Sequence, residues 1–261
     1  DNNSTLIKNN LVKNIKFIPT YSSKLKPGFY NGFGLIKGTI GLFTGCIMSE
    51  MYPKVHIATL NVIRKLGFNV VISDFDLCCG ALHRHDGYLK TAEKLINKSY
   101  PYLEAFDIVV VNSAGCGAEL KNKVKDLNTI IMDFSEFVDK YDFKVKKKLD
   151  ETAIWDSPCH LIHGQKITNQ PIRLLEKIGL KLVESNHINL CCGAAGNYMN
   201  NHSSYSEKIL NIKMNQIKNL NINYLITSNP GCHFQLHKGV KERGISIKVI
   251  HIAEILDMAM S

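Results

Sequence analysis

The 261-residue sequence contains no apolar run close to the roughly 20 residues that a membrane-spanning helix requires. Its start is polar and rich in Asn and Lys, so we expect no signal peptide and a cytoplasmic protein that reaches the inner face of a membrane only through partners. The G-x-G-x-x-G and Walker patterns of nucleotide sites and the G-x-S-x-G of serine hydrolases are also missing. These absences argue against a membrane-spanning protein, a nucleotide-binding enzyme and a serine hydrolase.

The excess of positive charge has no recognised nucleic-acid-binding module beside it. Lys and Arg number 32 against 23 Asp and Glu, which gives a net charge of +9. The excess is spread over both halves of the chain, apart from a solvated stretch of lysines at 144–148. We therefore expect no nucleic-acid partner.

The eight cysteines fall into two copies of one pattern. The first three members of the two sets are 113 residues apart and the last members 116. Such agreement indicates an internal repeat. The first set consists of Cys46, Cys78, Cys79 and Cys116, and the second of Cys159, Cys191, Cys192 and Cys232.

The repeat divides the sequence into three parts. Residues 1–38 have weak periodicity and are predicted to form an N-terminal arm or linker. Residues 39–150 and 151–261 are predicted to be the first and second cysteine-rich domains. Short apolar runs alternate with amphipathic helical stretches in both, which predicts an α/β fold of two pseudo-symmetric βαβ repeats with mainly parallel sheets.

Each cysteine set follows the carboxyl ends of predicted strands. In the first repeat, strands at 39–45, 69–72 and 107–111 precede Cys46, the Cys78-Cys79 pair and Cys116. Ligands of open α/β sheets gather at this edge. We therefore expect each set to converge on one site, although its members lie up to 70 residues apart in the first set and 73 in the second.

Several roles are open to thiols in this arrangement. Buried core cysteines are common, but two matching sets at strand ends argue against them, and disulfides do not suit a reducing compartment. A zinc ion accepts four thiolates, yet adjacent cysteines on one tetrahedral ion form a strained ring and the C-x2-C spacing is absent. An iron–sulfur cluster suits the pairs better, because neighbouring thiolates can bind different irons.

The segments around the cysteines carry a resemblance. The doubled C-x31-C-C-G pattern resembles the tandem cysteine-rich CCG domains of the heterodisulfide reductase B subunit family. Within that family, the sequence is similar to the iron–sulfur subunit of glycolate oxidase over roughly residues 40–260. The segments that carry this similarity are 42–46, 78–82, 111–117, 159–165 and 228–232.

The resemblance implies a function. It implies that all eight cysteines bind iron–sulfur clusters, expected to be of the 4Fe-4S type, with zinc as the alternative. It implies electron relay from flavin-containing 2-hydroxy-acid dehydrogenase subunits to the quinone pool through peripheral membrane association, with no catalytic residue in this chain. The alternatives are a thiol–disulfide reductase subunit of the heterodisulfide type and a zinc-stapled scaffold.

The sequence departs from the family pattern in two ways. The heterodisulfide reductase pattern ends each repeat in C-x-x-C, but here Ser113 and Asn229 stand in place of the first cysteine. The ferredoxin-like domain that normally precedes the tandem repeats is also missing, so the chain is expected to be a C-terminal portion or to come from a lineage without that domain. Among the histidines, His83 and His85 are expected to be exposed, while His160 abuts a presumed ligand.

Overall fold

The computed structural model describes Asn14, Phe17 and residues 24–183 and 190–261. The rest of the predicted N-terminal arm and residues 184–189, which precede the second CCG segment, lie outside the described residues. Within the described part, strands and helices alternate along both halves of the chain.

The described residues form nine strands and eleven α-helices. The strands are β1 Gly28–Tyr30, β2 Gly38–Phe43, β3 Phe68–Ile72, β4 Ile108–Val111, β5 Ile130–Asp133, β6 Thr152–Trp155, β7 Lys181–Leu182, β8 Tyr224–Thr227 and β9 Lys248–His251. The helices are α1 Ile47–Met51, α2 Pro53–Lys65, α3 Ala81–His85, α4 Leu89–Leu103, α5 Ala114–Lys123, α6 Phe134–Asp139, α7 Asn169–Lys177, α8 Tyr198–Asn201, α9 Ser203–Ile217, α10 Pro230–Glu242 and α11 Ile252–Met260. A π-helical turn, His160–Gly164, follows Cys159.

Each half is built on its own sheet. The first sheet has the order β1-β3-β2-β4-β5, with β2, β3, β4 and β5 parallel to one another. The second has the order β7-β6-β8-β9 and is parallel throughout. The predicted α/β fold of two βαβ repeats is therefore confirmed.

Two local features differ from the sequence expectation. The segment Gly28–Tyr30, within the predicted arm, is an edge strand that pairs antiparallel with β3. The helix that the sequence predicts from about residue 86 to 105 begins only at Leu89, because Gly87 adopts a left-handed conformation with φ of 85° and separates α4 from the short helix α3.

The two halves pack on each other through matched helices. Helix α2 of the first half packs on α11 of the second, and α7 of the second packs on α6 of the first. Helix α5 contacts the π-helical turn, and its counterpart α10 contacts α1. Since α7 corresponds to α2 and α6 to α11, these contacts follow a pseudo-two-fold relation. One apolar core runs through both halves and includes Phe137 and Leu174.

Buried histidines join the halves through neutral hydrogen bonds. His251 donates from Nε2 to the Asn112 carbonyl oxygen (3.0 Å), while its Nδ1 accepts from the Ala253 N–H (3.1 Å). Asn112 in turn donates through Nδ2 to Thr59 Oγ1 (2.9 Å) and to His56 Nδ1 (3.0 Å). A ring that accepts at one nitrogen must be uncharged, so this network is built for neutral imidazole.

These histidines predict that the fold loses stability in mild acid. Burial lowers the pKa of His251 and His233 to about 3 and that of His56 to about 4, from an ordinary 6.5. Between about pH 6.5 and 4 the unfolded chain binds more protons, so we expect the free energy of unfolding to fall as the pH falls. Each histidine contributes about 1.4 kcal/mol per pH unit. The buried Asp133, whose pKa burial raises to about 6, opposes part of this loss.

Urea unfolding in steps from pH 7 to pH 4.5 measures the slope. His251→Gln removes one of the three buried rings with a lowered pKa and should reduce the slope by about 1.4 kcal/mol per pH unit. The matched control is His83→Gln, the same substitution at an exposed histidine, measured in the same urea series. Equal slopes in both variants would contradict the assignment.

Candidate metal centre

The strand ends bring each cysteine set to one edge of its sheet. Cys46 follows β2, Cys78 and Cys79 follow β3, and Cys116 is the third residue of α5, directly after β4. The second set repeats this placement after β6, β7 and β8, with Cys232 as the third residue of α10. Because these strands are parallel within each sheet, their carboxyl ends share one edge.

The first set converges in two close pairs. The Sγ atoms of Cys46 and Cys78 are 3.8 Å apart, and those of Cys79 and Cys116 are 3.2 Å apart. Cys79 is buried, whereas Cys46 is exposed. The first set therefore includes one exposed residue.

The second set is more enclosed. The Sγ atoms of Cys192 and Cys232 are 3.1 Å apart, and both residues are buried. Cys159 and Cys191 are partly buried and hydrogen-bond to each other. The second set has no exposed member, which is the clearest difference between the two sites.

The glycine of each CCG segment makes the turn that brings its thiols together. Gly80 and Gly193 have φ values of 77° and 86°, a region that favours glycine. A Cβ on Gly80 would lie 2.5 Å from the Ala92 carbonyl oxygen, and one on Gly193 would lie 2.7 Å from the Ser206 carbonyl oxygen. Glycine is therefore required at both positions.

The same turns direct backbone hydrogen bonds at sulfur. The N–H of Gly80 donates to Cys78 Sγ (3.4 Å), and that of Gly193 donates to Cys191 Sγ (3.3 Å). A hydrogen bond from the Cys46 thiol, together with that of Gly80, lowers the pKa of Cys78 to about 6. Hydrogen bonds from the Cys159 and Cys192 thiols and from Gly193 lower the pKa of Cys191 to about 2. The first cysteine of each CCG segment is thus held as the thiolate that a metal needs.

Four other thiols have a raised pKa: Cys46, Cys79, Cys159 and Cys192. A hydrogen bond to the Cys116 sulfur and burial raise the pKa of Cys79, and the Cys191 thiolate, Cys232 and burial raise the pKa of Cys192. Metal binding at either set would therefore release protons, because each ligand must be deprotonated.

A buried ion pair lies beside the second set and was not predicted from the sequence. Lys213 on α9 pairs with Asp156, the residue directly after β6, and both side chains are almost fully buried, at 3% and 2% exposure. Burial alone would lower the pKa of Lys213, but the Asp156 carboxylate and the Cys192 and Cys232 sulfurs raise it. The cation therefore lies in electrostatic reach of the second set. The sequence offered two signals of this pair: Asp156 lies at the end of a strand, and Lys213 lies on the apolar face of a helix.

The histidines near the sites are placed differently from one another. His83 and His85 are exposed, as expected. The His85 ring stacks on His160 from the other half, with centroids 5.5 Å apart. Nδ1 of His160 lies 3.7 Å from Cys159 Sγ, so His160 is in contact with the second set.

Asn229, which occupies a cysteine position of the family pattern, contacts both sites. Its Nδ2 donates to Cys232 Sγ at 3.7 Å. Its Oδ1 accepts from the N–H of Gly115 at 3.0 Å, next to Cys116 in the first set. The sequence marked this position as a departure from the pattern, but its contact with the opposite half was not foreseen.

The donor chemistry at both sites suits an iron–sulfur cluster. Cys46, Cys78, Cys79 and Cys116 would hold one group, and Cys159, Cys191, Cys192 and Cys232 the other. Across residues 24–183 and 190–261, no three His, Cys, Asp or Glu side chains are grouped as the site of one metal ion. The sulfurs instead approach in pairs from different loops, which fits a cluster whose irons take separate thiolates; a single tetrahedral ion would have to draw the two pairs of a set together.

Comparisons with known proteins agree with this architecture. The chain is 34% identical over 242 residues to the B subunit of the fumarate reductase (CoM/CoB) of Methanothermobacter marburgensis, covering 90% of this chain and 49% of that protein. It is 30% identical over 258 residues to the probable glycolate oxidase iron-sulfur subunit of Bacillus subtilis, covering 89% and 57%. It is 27% identical over 239 residues to lactate utilization protein A of Geobacillus sp. (strain WCH70), covering 84% and 98%. The chain thus spans about half the length of the first two relatives.

One solved structure shares the fold. A hypothetical protein from Helicobacter pylori superposes with a TM-score of 0.61 at 13% identity, over 99% of this chain and 54% of that one. In the part of the chain that the structure describes, no helix is both long and apolar enough to cross a bilayer. The cysteine-rich domain family model named CCG matches twice, at residues 40–121 and 153–237. The chain therefore belongs to the CCG cysteine-rich domain family and carries two copies of the domain.

Proposed function

We propose that this chain is an iron–sulfur electron-transfer subunit of a 2-hydroxy-acid oxidoreductase complex, acting on glycolate or a related acid. It would relay electrons from a flavin-containing subunit toward a quinone. The observation that carries the proposal is the convergence of two sets of four thiols, each at the carboxyl edge of a parallel sheet. Eight thiols in two such sites have a clear use in cluster binding.

The chain's own residues would bind the clusters and tune their reduction potentials. A 4Fe-4S cluster at each set would supply one-electron chemistry, with one thiolate for each iron. The N–H groups of Gly80 and Gly193 stabilise negative charge on sulfur. Burial of Cys192 and Cys232 keeps water from the second site, while the exposed Cys46 brings the first site to the surface. Such a surface site is suited to electron exchange with a partner.

The substrate class and partners are supported by the relatives. One is named a glycolate oxidase iron-sulfur subunit and another a lactate utilization protein, and both glycolate and lactate are 2-hydroxy acids. Oxidation of such an acid by hydride transfer requires a flavin or nicotinamide. We therefore place the substrate site on a flavin subunit, and contact with the quinone at the inner face of a membrane, through partners.

The relay role predicts a split between two half-reactions. A complex without this chain should still reduce its flavin with glycolate but should lose quinone reduction. The matched variant keeps the chain and replaces Cys79 and Cys192 by Ser together, which separates loss of the clusters from loss of assembly. Flavin absorbance and quinone reduction are measured on the same samples. Normal quinone reduction in the double variant would refute the relay.

Thiol–disulfide reduction is a second candidate. It is favoured by the relative named as the B subunit of a fumarate reductase (CoM/CoB) and by the exposure of Cys46, which gives a disulfide access to the first set. Consumption of a disulfide by the reduced chain with an artificial electron donor, in the absence of any flavin subunit, would favour it over the relay. Zinc in place of iron and labile sulfide in the anaerobically purified protein would instead favour the scaffold.

A further inference from the structure

One carboxamide touches both cysteine sets. Asn229 precedes α10, which carries Cys232, and its Nδ2 donates to Cys232 Sγ at 3.7 Å. Its Oδ1 accepts from the Gly115 N–H (3.0 Å) and from Ser113 Oγ (3.4 Å) in the other half. Gly115 is the residue before Cys116. A sulfur of the second set is therefore joined to the backbone of the first set by a single side chain.

The pseudo-two-fold relation of the halves is broken at this contact. Ser113 is the counterpart of Asn229, because each lies three residues before the last cysteine of its set. The Ser113 hydroxyl donates to Asn229, while the backbone N–H of Ala114 donates to the Ser228 carbonyl oxygen at 3.0 Å. The starts of α5 and α10 are thus held together, with the longer side chain of Asn229 bridging them.

We propose that Asn229 couples the two sets, so that metal binding by one tightens metal binding by the other; this rests on the proposed function only in that both sets bind metal. A metal holds Cys232 as a thiolate, which is a stronger acceptor for the Asn229 N–H than a thiol. That bond fixes the carboxamide and polarises it, and Oδ1 then holds the Gly115 N–H and the start of α5 more firmly. Cys116 is carried on that turn.

Coupling of this kind is reciprocal. If metal in the second set lowers the Kd of the first set by some factor, metal in the first set lowers the Kd of the second set by the same factor. Both changes describe one coupling free energy. Because the proposed coupling passes through a single side chain, we expect a factor of about five, at the low end of common coupling factors.

The test is anaerobic titration of the reduced full chain with Co²⁺, whose absorbance reports thiolate ligation. Cys192→Ser and Cys79→Ser each leave one set, and these variants give the Kd of each set alone. In the chain with both sets, the set that binds Co²⁺ second should have a Kd about fivefold lower than the same set has alone. The same comparison is then made in an Asn229→Asp background.

Asn229→Asp separates coupling from a structural role. Aspartate keeps an oxygen for the Gly115 N–H and remains a good residue before a helix, but it loses the N–H that reaches Cys232. The fivefold factor should disappear while the thermal midpoint of the metal-free chain stays close to that of the parent. Asn229→Leu removes both contacts and should also abolish the factor. Ser113→Ala is the control, since both Asn229 contacts that carry the coupling survive and the factor should persist.

Each outcome decides between the proposals. A second binding step no tighter than the Kd of the same set alone, or persistence of the factor in Asn229→Asp, would overturn the coupling. Iron and labile sulfide are measured separately on the same variants. Coupling with Co²⁺ in a chain that retains no iron would overturn the proposed function and leave the coupling standing. Retained iron without coupling would overturn the coupling and leave the proposed function standing.

Discussion

Cys192→Ser should remove most of the iron and visible absorbance from the anaerobically purified chain, and Cys79→Ser no more than half. The second set is surrounded by turn-forming and polar residues, including Pro158, His160 and Pro230, which favour a preorganised site. Its four thiols are partly or fully buried, whereas the first set includes the exposed Cys46. We therefore expect the second site to retain its cluster through purification more completely than the first.

The iron measurement needs a control for folding. Cys79 and Cys192 are equally suited to comparison, because both are buried second cysteines of a CCG segment. Near-ultraviolet circular dichroism should show the same fold in both variants. Equal iron losses would contradict the difference between the two sites but leave the iron–sulfur assignment intact. Full iron retention in both variants would contradict both the difference and the assignment.

Lys213→Met should lower the free energy of unfolding by about 3–5 kcal/mol, the usual cost of breaking a buried ion pair by removing one partner. The variant leaves the carboxylate of Asp156 buried and unpaired. It also removes a positive charge that interacts electrostatically with Cys191, Cys192 and Cys232. We expect the second site to lose iron as well, and denaturant unfolding to show the loss of stability even in the metal-free chain.

Two further variants test the cause of that loss. Lys213→Met combined with Asp156→Leu replaces the pair by apolar side chains and should recover most of the stability, because no unpaired charge remains. Lys121→Met breaks the pair with Glu136, whose two side chains are 24% and 28% exposed, and should change the free energy of unfolding by less than about 1 kcal/mol. If Lys213→Met costs no more than Lys121→Met, the buried pair does not have the importance assigned to it.

The order of strands and helices was predictable because the signals are local. Runs such as Ile108–Val111 are apolar throughout, as parallel strands covered on both faces require. The placement of the cysteines after these strands then predicted two convergent sites. The edge strand Gly28–Tyr30 was not predictable, since three residues beside Pro27 carry no periodicity and pair only because β3 offers a free edge.

The ligand candidates were also predictable, but their surroundings were not. Residue type and spacing identify cysteines without knowledge of the fold. The contact of Asn229 with Gly115 joins residues 114 positions apart in opposite halves, and Lys213 meets Asp156 across 57 positions. Such contacts depend on how the two sheets pack, and no local pattern in a single sequence encodes that packing.

The packing of helices across the two halves has a consequence for how the duplicated protein could evolve. Helix α2 completes its packing on α11, and α7 completes its packing on α6, so either half alone would expose an apolar face to water. The halves should unfold in a single cooperative transition. A lineage that no longer needed one cluster could lose its cysteines one by one, but it could not delete that half. Packing alone would therefore retain the duplication, whether or not both cysteine sets remain in use.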